Sequence, residues 1–311
     1  MNPPARAHWA RCSERGNGLL MRATAQSIRL LGRRALSPLV YLIVLYFYAT
    51  GRRARQAIAQ YQRLLAAHSQ RDDLFPSRWP IYRQYLTFAE TLLDKLDTWQ
   101  GRITHDDLDI DDPDGVDQQM ANGQGRGQIL LCSHIGNLEV CRALAGRRPT
   151  MRLTVLVHSH NAVRFNRVLA DAGADSLNLI EVSDLDAGTM LELNRRIEQG
   201  EWLAIAGDRV PIKGNRTVQV DFLGAPALLP QGAWLLAGLL RCPVNVLFCT
   251  RQGDRYRLVL RRLSTGLAWT RASRDEAIRL SAQRYADSLA NACLQAPLQW
   301  FNFYPFWSDH A

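Results

Sequence analysis

From Gln128 onward, apolar runs of strand length alternate with segments of helical length, and few architectures accept that pattern. Gln128–Ser133, Leu153–His158, Leu179–Val182, Trp202–Ala206, Val244–Cys249 and Tyr256–Leu260 read as strands. Helices are expected over Asn137–Ala145, Val163–Ala172, 185–199, 231–241 and 273–293. Strands that are apolar throughout belong to a sheet covered on both faces, and strand–helix alternation makes such a sheet largely parallel. Thr217–Phe222 differs: apolar and polar residues alternate, so it reads as a half-exposed strand. The fold class is therefore α/β, a mostly parallel covered sheet flanked by helices. The 311 residues suffice for one such domain and an appendage.

The appendage lies at the N-terminus. Ala35–Thr50 carries no charge, with Arg33 and Arg34 before it and Arg52, Arg53 and Arg55 after it. As a helix it spans ~24 Å, short of the ~30 Å hydrocarbon thickness. It begins too late and has the wrong flanks for a cleaved signal peptide. Its arginines lack the one-sided bias of a spanning helix, while Tyr41, Tyr46, Phe47 and Tyr48 suit the headgroup boundary. The expectation is a membrane-associating helical segment, embedded in one leaflet or tilted, with its arginines on anionic lipid. The alternative is a buried helix of a soluble core. Residues 1–60 are read as this anchor and amphipathic region, and 61–311 as the main domain. Within the latter, residues 81–100 are helical, with Tyr82, Tyr85, Leu86, Ala89, Leu92, Leu93 and Leu96 on one face.

A net charge of +9, carried almost wholly by arginine (the lysines are Lys95 and Lys213), suits an anionic partner. Nucleic acid is disfavoured, because the arginines are spread along the chain with no recognisable reader module. The cysteines, Cys12, Cys132, Cys141, Cys242, Cys249 and Cys293, are scattered and read as small apolar residues in a reducing compartment, neither a disulfide frame nor a zinc site. His158 and His160 form an H-x-H pair with no further cluster, so no metal is expected. The acidic run from Asp106 to Asp114 lacks the glycine and terminal glutamate of a calcium loop and reads as a solvated turn. Gly123, Gly125 and Gly127 precede a strand, where a nucleotide fingerprint follows one.

The segment ILLCSHIGNLEV carries the chemistry. A buried strand delivers His134 to its C-terminal end, where open α/β sheets place ligands. Gly136 permits a sharp turn, Asn137 can cap the next helix, and Glu139 falls in its first turn. A strand-to-helix reversal lets His134 and Glu139 meet, and an ionised carboxylate on one imidazole nitrogen makes the other a better base. Spacing alone also admits a turn histidine beside a helix-start acid. Asp208 and Arg209 follow the strand Trp202–Ala206 and share the His134 edge if the strands are parallel. Arg209 can clamp a phosphate with Asp208 orienting it, or the two can form a surface ion pair. Arg164 is a weaker substrate-binding candidate. Ser133 lacks a nucleophile-elbow frame. Six of the eight residues Trp300–Trp307 are aromatic, reading as core packing, as the wall of an apolar groove or as a belt at a lipid interface.

The block His134, Ile135, Gly136, Asn137, Leu138 and Glu139 after a hydrophobic strand resembles the His-x4-Glu block of the bacterial lipid A biosynthesis acyltransferase family, within the lysophospholipid acyltransferase superfamily. HWARCSERGN with the Arg-flanked segment, AGDRVPI (206–212), residues 217–248 and PLQWFNFYPFW (297–307) are similar to further blocks, so the likeness covers most of the chain. The Phe-Pro-Glu-Gly-Thr block of glycerol-phosphate acyltransferases is missing, which argues against that acceptor. The resemblance implies an acyltransferase of the cytoplasmic face of the inner membrane. His134 would be general base, Glu139 would orient it, and Asp208, Arg209, Asn137 and Arg164 would meet substrate. The donor would be acyl carrier protein, the acceptor a lipid or glycolipid hydroxyl, and no cofactor would be needed. One alternative is an acyl-CoA-dependent enzyme acting on a lysophospholipid or pigment-type lipid; another is a non-enzymatic basic protein that binds anionic lipid.

Overall fold

In the computed structural model the described residues are 38–307, apart from 72, 76–77, 100, 124, 139, 142–150, 158–176, 182–186 and 211–215. Nine strands are present among them: β1 (Leu108–Asp111), β2 (Ile129–Cys132), β3 (Leu153–Val157), β4 (Leu177–Glu181), β5 (Trp202–Ala206), β6 (Thr217–Phe222), β7 (Ala225–Pro230), β8 (Val244–Gln252) and β9 (Arg255–Ser264). Seven of them form one sheet in the order β1-β9-β8-β2-β5-β3-β4. β8, β2, β5, β3 and β4 run parallel, as the strand–helix alternation requires. The exception is one edge. β8 turns through Gly253 into antiparallel β9, and β1 then pairs parallel with β9. A strand joined by so short a turn has no room for a crossover, so it must reverse.

Both faces of the sheet are covered, and β2 shows how. Ile129 and Leu131 enter one apolar cluster, while Leu130 and Cys132 enter the other, the period-two alternation of a strand buried on both sides. The first cluster is roofed by α2 (Arg52–Ser69), α5 (Ala187–Glu198), α6 (Gly232–Leu240) and α7 (Arg274–Gln295), through Tyr61, Leu65, Leu193, Trp234 and Tyr285 among others. The second is closed by Val116 and Met120 of α4 (Val116–Asn122) with Val140. Cys132, Cys242, Cys249 and Cys293 are buried in these clusters.

Thr217–Phe222 is a strand, but outside the main sheet: it forms a hairpin with β7. The turn residues Leu223 (φ 58°) and Gly224 (φ 77°) both take positive φ, as a tight two-residue turn requires. β7 contains Pro226 and Pro230. A two-stranded ribbon has free edges, and there a missing N–H is tolerated.

At the N-terminal end, α1 covers residues 38–50 and breaks at Gly51 before α2. A Cβ at Gly51 would sit 2.6 Å from the Phe47 carbonyl oxygen, so the break admits no side chain. α1 turns Val40, Val44 and Tyr48 inward, one turn apart, onto Ile58 of α2 and onto Ile81, Tyr82, Tyr85 and Leu86 of α3 (Pro80–Trp99). Leu39, Tyr41, Leu42, Ile43, Leu45, Tyr46 and Phe47 are left exposed. No helix among the described residues is long and apolar enough to cross a membrane. The division expected at residue 60 falls inside α2, whose Tyr61 and Leu65 belong to the main core.

The acidic run differs from the solvated turn expected of it. Asp112 accepts the N–H groups of Val116 and Asp117 at the start of α4, and Asp114 accepts that of Arg262 on β9. Asp111 pairs with Arg257 and Arg261, each at 2.7 Å, and hydrogen bonds from these two guanidinium groups hold its carboxyl below the usual value. A depressed folded-state pKa adds stability that is present above the unfolded value of about 3.9 and is lost as pH falls through the folded one. Asp111→Asn should therefore lower the melting temperature by about 2 °C at pH 6, given the partial exposure of the pair. Thermal melts taken downward from about pH 4 should show that gap closing.

Candidate active site

The register between β2 and β5 places the two groups that matter. Cys132 pairs with Ala206, and the Gly207 N–H reaches the Cys132 carbonyl at 2.9 Å. Two residues beyond that pair on each strand lie His134 and Asp208, at the C-terminal edge of the parallel strands. The His134 backbone N–H donates to Asp208 Oδ2 at 2.8 Å, and His134 Nδ1 lies 2.8 Å from Asp208 Oδ1. The indole N–H of Trp300 also donates to Oδ2, at 3.2 Å.

Asp208 is buried, its side chain 2% exposed, whereas the His134 ring is 35% exposed. Burial acts to raise the Asp208 carboxyl. The charge and ring hydrogen bond of His134, the Arg209 guanidinium and the His134 backbone N–H outweigh it and hold the group below its ordinary value. An ionised carboxylate can only accept, so a neutral imidazole beside it carries its proton on Nδ1 and offers a lone pair at Nε2.

The turn that carries His134 is held on two sides. Gly136 has φ +63°, and a Cβ there would lie 1.8 Å from the Cys249 carbonyl oxygen of β8. The Asn137 N–H donates to that same oxygen at 2.8 Å. On the other side, Ile135 bridges antiparallel to Trp300, the Gly136 N–H reaches the Gln299 carbonyl, and the Phe301 N–H reaches that of His134, both at 2.8 Å. From below, the Tyr285 hydroxyl donates to the Cys132 carbonyl at 2.9 Å. Burial, with Asp208 nearby, raises the Tyr285 phenol.

Neither neighbouring nucleophile suits attack. Ser133 is buried, and its Oγ accepts the Ile135 N–H at 3.2 Å. Burial, reinforced by Asp208, pushes the Cys132 thiol up to about 12, far from thiolate at neutral pH. The group the site presents is the imidazole.

Of the residues singled out from sequence, the fold brings His134 and Asp208 into direct contact. Arg209 stands beside them, partly exposed, and donates to the Phe301 carbonyl at 3.3 Å. Asn137 is buried, and its side-chain amide donates to the Thr91 carbonyl of α3 at 3.1 Å. Glu139, Arg164, His158 and His160 lie outside the described residues. The sequence reading missed Trp300, which it took as one ring of an aromatic run. No periodic signal aims one indole of that run at a carboxylate 92 residues earlier in the chain.

The family model for bacterial lipid A biosynthesis acyltransferases matches residues 18–309. No curated protein matches the chain.

Proposed function

The chain belongs to the bacterial lipid A biosynthesis acyltransferase family and is an acyltransferase acting on lipid A-like substrates, and on that premise we propose that His134 is its general base. The observation that carries this reading is the 2.8 Å contact between His134 Nδ1 and buried, ionised Asp208, which fixes the tautomer while the ring stays accessible. In the proposed reaction Nε2 takes the proton of an acceptor hydroxyl as its oxygen attacks the thioester carbonyl of the donor. The tetrahedral intermediate collapses, the sulfur leaves, and it takes the proton back from the imidazolium. Asp208 stabilises that cation, so no covalent enzyme intermediate is needed. General base catalysis of this kind contributes ~10²–10⁴-fold.

Glu139, the acid of the His-x4-Glu block, is assigned a part in the catalysis, although the orienting contact on His134 Nδ1 comes from Asp208. Arg209 and Arg164 are assigned to phosphate, whether on the acceptor or on a phosphopantetheine arm. Asn137, tied to α3, is assigned to holding the turn. The proposed donor is acyl carrier protein, an acidic partner suited to a chain of net charge +9. The proposed location is the cytoplasmic face of the inner membrane, with the exposed apolar side of α1 in the lipid and Arg52 and Arg53 on anionic headgroups.

Two measurements test these assignments. In vesicles carrying a lipid A-type acceptor with a free hydroxyl, His134→Ala should lower kcat/KM by ~10²–10⁴-fold, and Asp208→Asn, which inverts the tautomer, by a similar factor, with vesicle binding unchanged. A His134→Ala enzyme retaining a tenth of normal activity would remove the base assignment. The same assay run with acyl carrier protein and with CoA thioesters decides the donor. For α1, Leu42→Glu with Tyr46→Glu should weaken co-sedimentation with phosphatidylglycerol vesicles by tenfold or more, since each change removes about 1.5–3 kcal/mol of apolar burial. Undiminished binding would place the membrane contact elsewhere.

A further inference from the structure

We propose that Trp300 is a positioning residue for the reaction: its indole N–H fixes the orientation of the Asp208 carboxylate, and through it that of the His134 ring. This rests on the reading of His134 as the base. Asp208 receives two hydrogen bonds from His134 itself, the ring on Oδ1 and the backbone N–H on Oδ2. Both come from one residue. The indole of Trp300 is a donor from a different element, and it shares Oδ2 with the His134 backbone N–H. A carboxylate held from two elements has a defined plane, whereas one held from a single turn moves with that turn.

Trp300 is itself immobilised, as a positioning group must be. It is fully buried, with ring centroids 5.0 Å from Tyr61, 5.1 Å from Phe306 and 5.4 Å from Phe222. Its carbonyl accepts the buried Gln84 side chain of α3 at 2.7 Å. Its backbone bridges to Ile135, and the Phe301 N–H beside it holds the His134 carbonyl. One short segment thus grips the base through the main chain and the base's carboxylate through an indole.

A buried indole N–H needs an acceptor in any case, so space filling with a satisfied N–H is the rival explanation. The two separate in the pH profile. Among the described residues, besides His134 and Arg209, the titratable groups that act on Asp208 or are acted on by it are Cys132, Cys293, Tyr285 and Tyr304, and burial raises the pKa of all four. They therefore stay neutral through the range assayed. Removing the indole donor leaves the Asp208 charge less compensated. That favours the imidazolium and moves the acid limb of kcat/KM to higher pH.

The experiment replaces Trp300 by 3-benzothienylalanine, a tryptophan isostere with sulfur in place of N–H, introduced by codon reassignment. The expected result is a kcat lower by about tenfold, the scale of losing one hydrogen bond to a charged group. KM should stay within about twofold and the acid limb should rise by about half a pH unit. Trp300→Phe, assayed per folded protein after gel filtration, should show the same shift and serves if the analogue folds poorly. A wild-type kcat and acid limb in either protein would overturn the proposal. His134→Ala, run in parallel, keeps the failures apart. If it is active, the base assignment is wrong; if it is inactive while Trp300 variants behave as wild type, only the role of Trp300 falls.

Discussion

Asp208 is an ionised carboxylate in a place where burial alone would favour its neutral form, and the contacts that keep it charged also build the site. The His134 ring and backbone N–H and the nearby Arg209 together offset the desolvation. An ionised Asp208 in turn dictates the tautomer of His134, and the tautomer dictates which nitrogen can accept a proton. A neutral Asp208 would donate where it now accepts, and the imidazole would lose its direction.

That arrangement depends on parallel pairing of two short, fully covered strands. β2 and β5 end in register, so their next residues leave the sheet side by side, and the Gly207 N–H continues the pairing one step beyond the ladder. The sharp departure of the chain at Gly136 is enforced by β8, whose Cys249 carbonyl leaves no room for a side chain. The C-terminal aromatic segment closes the other side. Its rings bury against α2 and the β6–β7 hairpin while its backbone pairs with the His134 turn. This aromatic segment is thereby part of the edge that carries His134 and Asp208.

α1 is built on a different principle. One stripe, Val40, Val44 and Tyr48, holds it to α2 and α3, and most of its remaining surface is apolar and exposed. That exposed apolar surface is the one proposed to meet lipid. Phe303 ties this corner to the site: it packs in the same cluster, stacks on Tyr85 and contacts Phe301, next to the residue whose carbonyl accepts Gln84.

The central strands, the helix that begins at residue 187 and the closing helix were legible because apolar runs of strand and helix length differ in period and length. β7 was not, because its prolines signal loop wherever the edge environment is unknown. His134 was singled out by its place after a buried strand, and Asp208 by the same logic one strand over. Their partnership was not legible: a sequence lists two carboxylates, Glu139 and Asp208, without saying which reaches Nδ1. Periodicity is local and is written along the chain, so the sequence by itself determined the elements and the edge where chemistry would sit. Which strands are neighbours, in what register, and which indole meets which carboxylate depend on contacts between residues 74 and 92 positions apart. Those only tertiary packing decided.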